Sequence, residues 1–396
     1  MLRVFFLTAL VALSSVVARA DVHATIKALA PSGLVYVVDS EGTVLVSQNA
    51  DDPFVPASVA KIVTGWLALE ELGADYRFET GFYVDDARVL FVRGGGDPFL
   101  VSEEIALLAP RLLEAAGDEP FTSIRLDVGH FPDRVAVPGV ENNGKTYNAS
   151  ISALAANFNT IFAIRDGDSV RSAEEQTPIT PLAISQFRAR GPNGRARISL
   201  AQEDPSLSSI YVGELLSVFI EEAGGSVSGP ISIGDVPDGL EPIYVHEQSR
   251  PLSELVRLML LGSNNFMANQ IFLQAGTASQ GSPVSIEKSQ KALEALLAPR
   301  DLTEGIRLVE GSGISRQNSM TAQGMAALLE HFAPYAELLS ATRKGSRYKT
   351  GTLDDVSTLA GFAETEEHGM TRFVIALPGG SGRLRFTILN AIEDEL

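Results

Sequence analysis

The sequence has no cysteine and comparatively little positive charge. Without cysteine among its 396 residues, the chain cannot use disulfide bonds to stabilise its fold. Lysine and arginine number 31 against 49 acids, giving a formal net charge of −18 at pH 7. An acidic surface of this kind argues against binding to nucleic acid or to anionic lipid head groups. Stability must come from a hydrophobic core, and a chain of this length is expected to form two or three domains.

Long apolar runs are also scarce, and the clearest one lies at the N-terminus. Arg3 supplies a positive start, residues 4–17 are nearly all apolar, and Ala18–Ala20 has the small-x-small form of a cleavage site. Because the run is too short to span a bilayer, we expect residues 1–20 to be a secretory signal peptide that is cleaved before Asp21. The alternative is an uncleaved membrane anchor. Since no later stretch is apolar enough to cross a membrane, a secreted, periplasmic protein is expected.

Hydrophobic periodicity indicates a mixed helix and strand organisation. Patterns typical of strands occur at 33–48, 78–93, 122–127, 158–165, 346–351, 356–364 and 371–378. Helical patterns occur at 62–72, 101–116, 211–223, from 251 onward with a break at 262–265, and at 285–298 and 321–332. We expect the first hairpin and the last three strands to share one antiparallel sheet. This predicts a discontinuous domain of residues 21–75 and 246–396, with residues 76–245 inserted as an α/β region.

The stretch "PASVAKIVTGW" places Ser58 three residues before Lys61 at the start of a helix. Positions i and i+3 share a helix face, and the free N–H groups of a first turn favour negative charge. This arrangement suits a serine that attacks a carbonyl with a lysine as its base. The alternative is a helix N-cap beside a solvated lysine. The alternative stays open on spacing alone because the chain, with only seven lysines, has two further pairs of this kind, Ser285/Lys288 and Ser346/Lys349.

Four small or polar residues, 262–265, interrupt the helical run that starts at 251. Ser263 offers a hydroxyl that can relay a proton, and Asn265 offers an amide that can hold a substrate backbone. The alternative is a plain turn between two helices.

A third group, Lys349-Thr350-Gly351-Thr352, lies at the end of a strand-like run. A lysine and two hydroxyls suit the carboxylate at the end of a peptide, and a glycine lets another backbone come close. Its alternative is an edge strand with a solvated lysine.

The order Ser-x-x-Lys, Ser-x-Asn, Lys-Thr-Gly resembles that of the serine penicillin-recognising enzymes. About 200 residues separate Ser58 from Ser263, and this long gap is similar to that of the low-molecular-mass class C penicillin-binding proteins, the D-alanyl-D-alanine carboxypeptidase/endopeptidase family. The resemblance covers most of the mature chain, including "YNASISALAANFNTIF" and "EGSGISRQNSMTA", although the segment before Lys349 is shorter than is usual. It implies an α+β multidomain fold in which a β-lactamase/transpeptidase-like antiparallel sheet carries helices on both faces.

The same resemblance implies a role for each residue. Ser58 is expected to be acylated, Lys61 to be its base, Ser263 to pass a proton to the leaving amine, and Asn265 to hold the peptide. Lys349, with Thr350, Gly351 and Thr352, is expected to bind the terminal carboxylate, and the backbone N–H groups of Ser58 and Thr352 to form the oxyanion hole. These predicted site residues are Ser58, Lys61, Ser263, Asn265, Lys349, Thr350, Gly351 and Thr352.

The expected partners are peptidoglycan stem peptides and, as covalent inhibitors, β-lactams. No metal or organic cofactor is implied, because no two of the five histidines have metal-ligand spacing. Two alternatives remain at this point: a β-lactamase or esterase of the same fold, and a non-catalytic wall-binding protein.

Overall fold

The structure is a computed structural model that describes residues 21–132, 135–379 and 382–396. The predicted signal peptide, residues 1–20, lies outside the described residues. In the described part of the chain no helix has the length and apolar character needed to cross a membrane.

Periodicity predicted most of the helices, and two of the three that it missed lie near the ends of the described chain. The described residues form α1 (Val22–Leu29), α2 (Ala60–Leu72), α3 (Ser102–Ala116), α4 (Pro181–Arg190), α5 (Ser206–Glu222), α6 (Leu252–Gly262), α7 (Asn265–Gln280), α8 (Ile286–Leu297), α9 (Ala322–Phe332) and α10 (Leu384–Glu395). The sequence predicted seven of these and missed α1, α4 and α10. It also placed the start of α5 near 211, whereas Pro205 leads into that helix five residues earlier.

Strands come mostly in consecutive pairs, as hairpins do. They are β1 (Leu34–Val38), β2 (Val44–Gln48), β3 (Glu79–Val84), β4 (Val89–Gly94), β5 (Ser123–Asp127), β6 (Thr160–Asp166), β7 (Ser169–Ser172), β8 (Gly194–Ser199), β9 (Ile231–Ile233), β10 (Tyr244–Glu247), β11 (Ile306–Arg307), β12 (Ser319–Met320), β13 (Ser340–Ala341), β14 (Arg347–Leu353), β15 (Val356–Thr365) and β16 (Gly369–Pro378).

The largest sheet joins the two ends of the chain. Its six strands are all antiparallel, in the order β13-β14-β15-β16-β1-β2. Strand β1 pairs with β16, so that Leu34 lies opposite Ala376. The expectation that the first hairpin and the last three strands share a sheet is therefore confirmed.

Helices cover both faces of this sheet. Alternate residues of a strand point to opposite faces, and β1 follows this rule. Val35 and Val37 pack with α1 and α10, whereas Leu34 and Val38 belong to the larger core formed with α2 and α6–α9. This arrangement confirms the expected fold class, an antiparallel sheet between two helical layers.

The middle of the chain forms further sheets with a separate hydrophobic core. A five-stranded sheet has the order β10-β3-β4-β5-β9, and its β4, β5 and β9 strands are parallel, while β7-β6-β8 form a small antiparallel sheet. Helices α3 and α5 pack on these strands around buried residues such as Ile124 and Leu215. The region is thus α/β in character, and the division of the chain at residues 75 and 245 stays a prediction.

Candidate active site

Ser58 lies in a 3₁₀ turn, Ala57–Val59, that leads directly into α2. Ala57 has a φ of 48°, a left-handed conformation that is uncommon for a residue with a side chain. The neighbouring sheet fixes the turn, because the hydroxyl of Thr358 in β15 donates to the Pro56 carbonyl at 2.8 Å. The half-buried Ser58 side chain is therefore held at a helix start, where backbone N–H groups lack helical partners.

Strand β14 packs against this turn with no room for a side chain at Gly351. A Cβ added to Gly351 would lie 2.1 Å from the Thr358 hydroxyl oxygen and 2.6 Å from the Pro56 carbonyl oxygen. Any side chain at Gly351 would push β14 away from Ser58. Glycine at this position thus brings the strand that carries Lys349 next to the turn that carries Ser58.

Lys61 projects from the first turn of α2 into a fully buried site, with 0% of its surface exposed. Its Nζ atom lies 3.0 Å from Ser58 Oγ, 2.7 Å from Asn265 Oδ1 and 2.7 Å from the Ser312 carbonyl oxygen. The serine and lysine predicted as a pair are thus in hydrogen-bond contact, and the third contact comes from a loop in which no site residue was predicted.

The surroundings of Lys61 favour a neutral amine. Burial lowers the pKa of Lys61 well below its usual value, and the nearby charge of Lys349 lowers it further. The carboxylate of Glu310 acts in the opposite direction. A neutral amine at Lys61 can accept a proton from Ser58, which a protonated ammonium cannot.

Ser263 and Lys349 face each other across the same cleft. Ser263 ends α6 in a left-handed conformation, with φ 50° and ψ 38°, and Asn264 caps the start of α7. Lys349 Nζ donates to Ser263 Oγ at 3.0 Å and to the Thr350 carbonyl at 2.8 Å. Burial lowers the pKa of Lys349 to about 8, and the positive charge of Arg385 contributes to this shift.

Asn265 is oriented from both ends of its amide. Its Oδ1 accepts from Lys61, and its Nδ2 donates to the Tyr147 carbonyl at 3.1 Å. Residues Thr146–Asn148 form a 3₁₀ turn of the middle region, and the exposed Tyr147 side chain belongs to it. This segment therefore forms a wall of the cleft beside Lys61.

The end of β14 is braced from below by α10. The Arg385 side chain, only 8% exposed, donates to the Gly351 carbonyl at 2.6 Å, to the Thr358 carbonyl at 3.1 Å and to Thr352 Oγ1 at 3.1 Å. Thr350 is half-buried and Thr352 is exposed. The arrangement adds a second buried positive charge close to Lys349.

In the other two serine–lysine pairs, the hydrogen bonds of the serine stabilise the fold and do not join it to the lysine amine. Ser285 caps α8 by accepting from the Lys288 N–H at 3.2 Å, and Lys288 Nζ donates to the Gly281 and Pro283 carbonyls in the solvent-exposed turn before it. Ser346 is buried on the opposite side of the sheet from Lys349 and donates to Glu393 of α10 at 2.6 Å.

Sequence reasoning missed three residues of this site. Ser312 contacts Lys61 through its backbone carbonyl, so no side-chain pattern could have identified it. Arg385 lies beyond residue 378, where the sequence pattern predicts no helix or strand, and in the structure it belongs to α10. Glu310 does stand in a segment that supported the family resemblance, and a lone acid among small residues was the available signal.

No cluster of three or more His, Cys, Asp or Glu residues with the geometry of a metal site occurs within residues 21–132, 135–379 and 382–396.

Comparison with known proteins gives consistent results. A D-alanyl-D-alanine carboxypeptidase of an Actinomadura species is 25% identical over 91% of this chain and 78% of its own length. The crystal structure of penicillin-binding protein 4 from Haemophilus influenzae superimposes with a TM-score of 0.73 at 19% identity, over 91% of this chain and 94% of that one. A second structure of that protein, complexed with a β-lactam, gives a TM-score of 0.72 at 17% identity, over 93% and 98% of the two chains.

A predatory peptidoglycan endopeptidase of Bdellovibrio bacteriovorus has the same fold at lower similarity. Its TM-score is 0.54 at 16% identity, over 91% of this chain and 90% of that one. The sequence profile of the D-Ala-D-Ala carboxypeptidase 3 (S13) family matches residues 18–186 and 169–342, which include Ser58, Lys61, Ser263 and Asn265. The chain belongs to the D-Ala-D-Ala carboxypeptidase 3 (S13) family.

Proposed function

We propose that this chain is a serine DD-peptidase that cleaves peptidoglycan stem peptides after a D-alanine, through an acyl-enzyme on Ser58. The observation that carries the proposal is the contact between the buried Lys61 Nζ and Ser58 Oγ at 3.0 Å, in a member of a serine carboxypeptidase family. A nucleophile and a base within hydrogen-bond distance, with the base itself oriented by other groups, is the arrangement that acyl transfer requires.

In the acylation step, Ser58 Oγ attacks the carbonyl carbon of the penultimate D-alanine while Lys61 Nζ takes the serine proton. The peptide bond then breaks, and the leaving amine needs a proton. Ser263 can supply it, because Lys349 donates to the Ser263 oxygen and leaves the hydroxyl proton free for the substrate. The proton that Lys61 took from Ser58 then replaces the one that Ser263 gave up, so that both side chains end the step neutral. Water subsequently hydrolyses the Ser58 ester and releases the shortened peptide.

Binding of the terminal carboxylate is assigned to the end of β14. Lys349 supplies a positive charge, Thr350 and Thr352 supply hydroxyls, and Gly351 allows the strand to lie against the Ser58 turn. The backbone N–H groups of Ser58 and Thr352 are the proposed oxyanion hole, and each such donor contributes about 3 kcal/mol to catalysis.

β-Lactams are proposed as covalent inhibitors that acylate the same serine. The related Haemophilus influenzae protein has been crystallised with a β-lactam, which supports this assignment. We further propose that the protein acts outside the cytoplasm, in the periplasm, where its peptidoglycan substrate is located and where the predicted signal peptide would direct it.

Digestion of purified muropeptides tests the proposal. The protein is incubated with pentapeptide stems and cross-linked dimers, and mass spectrometry scores released D-alanine against opened cross-links. We expect at least one of these products with the unsubstituted protein and neither with Ser58→Ala. If the folded protein yields neither product, the proposal is wrong, and sustained rapid hydrolysis of nitrocefin would favour the β-lactamase alternative.

A further inference from the structure

Glu310 is a completely buried acid that belongs to none of the three motifs, with 0% of its surface exposed. Its Oε2 accepts from the Ser312 N–H at 2.7 Å and the Ser312 hydroxyl at 2.6 Å. Its Oε1 accepts from the Gly313 N–H at 2.7 Å, the Ser315 N–H at 3.3 Å and Asn318 Nδ2 at 2.6 Å. A buried carboxylate satisfied by this many donors from its own loop determines how that loop folds.

Five donors surround Glu310, and no arginine or lysine of the described residues forms an ion pair with it. A neutral glutamine in its place would turn an NH₂ group toward N–H and O–H donors, which would leave that side of the site without acceptors. The loop therefore requires a carboxylate and would not tolerate the amide equally well.

The same loop contacts Lys61 and the turn that carries Ser58. The Ser312 carbonyl accepts from Lys61 Nζ at 2.7 Å. The next residue, Gly313, has a φ of 84° and packs so closely on the Ser58 turn that a Cβ would lie 1.8 Å from the Ala57 carbonyl oxygen. Thr64 of α2 also donates to the Gly311 carbonyl at 2.6 Å, which ties this loop to the helix that carries Lys61.

The contacts of Lys61 determine where its lone pair points. A neutral amine has two N–H bonds and one lone pair. The Asn265 amide oxygen and the Ser312 carbonyl oxygen can only accept hydrogen bonds, and each is 2.7 Å from Nζ. They take the two N–H bonds, and the lone pair is left facing Ser58 Oγ at 3.0 Å. A hydroxyl is the one group of the three that can donate a proton to it.

We infer that Glu310 is a positioning residue for the proposed acylation: its carboxylate folds the loop so that the Ser312 carbonyl holds one N–H of Lys61 and directs the Lys61 lone pair at Ser58. This inference rests on the proposed function. Glu310 itself touches neither Ser58 nor Lys61, and it acts through the backbone of Ser312.

Acylation kinetics of Glu310→Gln across pH test the inference. The second-order rate constant for labelling by a fluorescent penicillin is measured for this variant and for Gln317→Ala, whose exposed side chain lies on the same loop. We expect a fall of about 10- to 100-fold for Glu310→Gln, the cost of losing one strong orienting hydrogen bond, and an unchanged rate for Gln317→Ala.

The pH profile distinguishes positioning from a general loss of structure. The charged groups that act on Lys61 are Lys349 of β14, which lowers its pKa, and Glu310, which raises it. Removing the Glu310 charge lowers the pKa of Lys61 further, so the acidic limb of the profile should move to lower pH in Glu310→Gln. A reduced rate with an unmoved acidic limb, or an unchanged rate, would overturn the inference.

Two controls keep the result interpretable. If Glu310→Gln does not fold, Asn318→Ala takes its place, because it removes one donor from the carboxylate and keeps the charge. Acylation of Asn318→Ala should slow several-fold. A rate equal to that of the unsubstituted protein would overturn the inference. If the unsubstituted protein is not labelled at all, the proposed function fails. If it is labelled and Glu310→Gln behaves identically, only the role of Glu310 is wrong.

Discussion

The starts of α2 and α8 carry the same Ser-x-x-Lys spacing and use it in opposite ways. At α8, Ser285 caps the helix, and the amine of Lys288 bonds to two carbonyls in the exposed turn before it. At α2, Ser58 is outside the helix proper, and Lys61 is buried among acceptors that belong to α7 and to the 310–318 loop.

The comparison shows that the Ser-x-x-Lys spacing only places a serine and a lysine close together. The groups that bury and orient them come from distant segments of the chain. Ser285 and Lys288 can be understood from residues within a few positions of the helix start. Ser58 and Lys61 depend on Asn265, Ser312 and Thr358, which lie more than 200 residues away in the sequence and are brought together by the fold.

The largest expected effect comes from replacing the two lysines in parallel. Lys61→Met removes the proposed base, and general base catalysis contributes about 10²- to 10⁴-fold, so acylation by a fluorescent penicillin should slow by that factor. Lys288→Met should leave the rate unchanged because the hydrogen bonds of its amine go to the turn before α8 and not to residues of the cleft. Equal rates for the two variants would remove the basis for distinguishing the two helix starts.

The pH dependence of substrate binding should sharpen the contrast, since Lys288 has no such role. Lys349 must be protonated to bind a carboxylate, and burial lowers its pKa to about 8. Binding should therefore be intact below this value and weaken about tenfold per pH unit above it. The measurement is KM for a D-Ala-D-Ala peptide between pH 6 and pH 10, and a KM that is constant to pH 10 would contradict the assignment.

A smaller effect is expected at Arg385, the residue of α10 that braces β14. Its charge contributes to the lowered pKa of Lys349. In Arg385→Gln the pKa of Lys349 should rise, so the basic limb of the KM profile moves to higher pH, and acylation should slow several-fold as the contacts to Gly351 and Thr352 weaken. The exposed Arg383, which directly precedes the same helix, provides the control, and Arg383→Gln should match the unsubstituted protein in both measurements.

The smallest effect should come from Ser285→Ala, which removes the N-cap of α8. Loss of such a cap lowers the free energy of unfolding by about 1 kcal/mol, which urea titration can detect. The acylation rate should not change, because this serine has no role in the cleft. A fall in acylation with no change in stability would show that the helix start at α8 has been misinterpreted.

Much of this fold could be predicted from the sequence because its long elements have strong periodicity. Helices α2, α6, α7 and α9 and strands β14–β16 follow regular apolar patterns that end at residues such as Gly73. Helix α10 was missed because its fully buried apolar residues Ile388, Leu389 and Ile392 stand among polar and charged neighbours, which obscures the helical period. Helix α4 begins with an N-cap at Thr180 followed by Pro181, and this pair is a helix-start signal that can be recognised in the sequence.

The site was predictable where side chains carry the chemistry and unpredictable where the backbone does. Ser58, Lys61, Ser263, Asn265 and Lys349 stand in ordered motifs. The structure brings them together as two hydrogen-bonded groups, Lys61 with Ser58 and Asn265, and Lys349 with Ser263. The acceptor role of the Ser312 carbonyl depends on the path of the chain, which no residue pattern encodes.

The most direct test of the central claim is peptide mapping after reaction with penicillin. The protein is incubated with the antibiotic, digested, and analysed by mass spectrometry alongside Ser58→Ala and Ser285→Ala. The account predicts one covalent adduct on the peptide that contains Ser58, the same adduct in Ser285→Ala, and none in Ser58→Ala. An adduct on any other serine, or no adduct on well-folded protein, would contradict it.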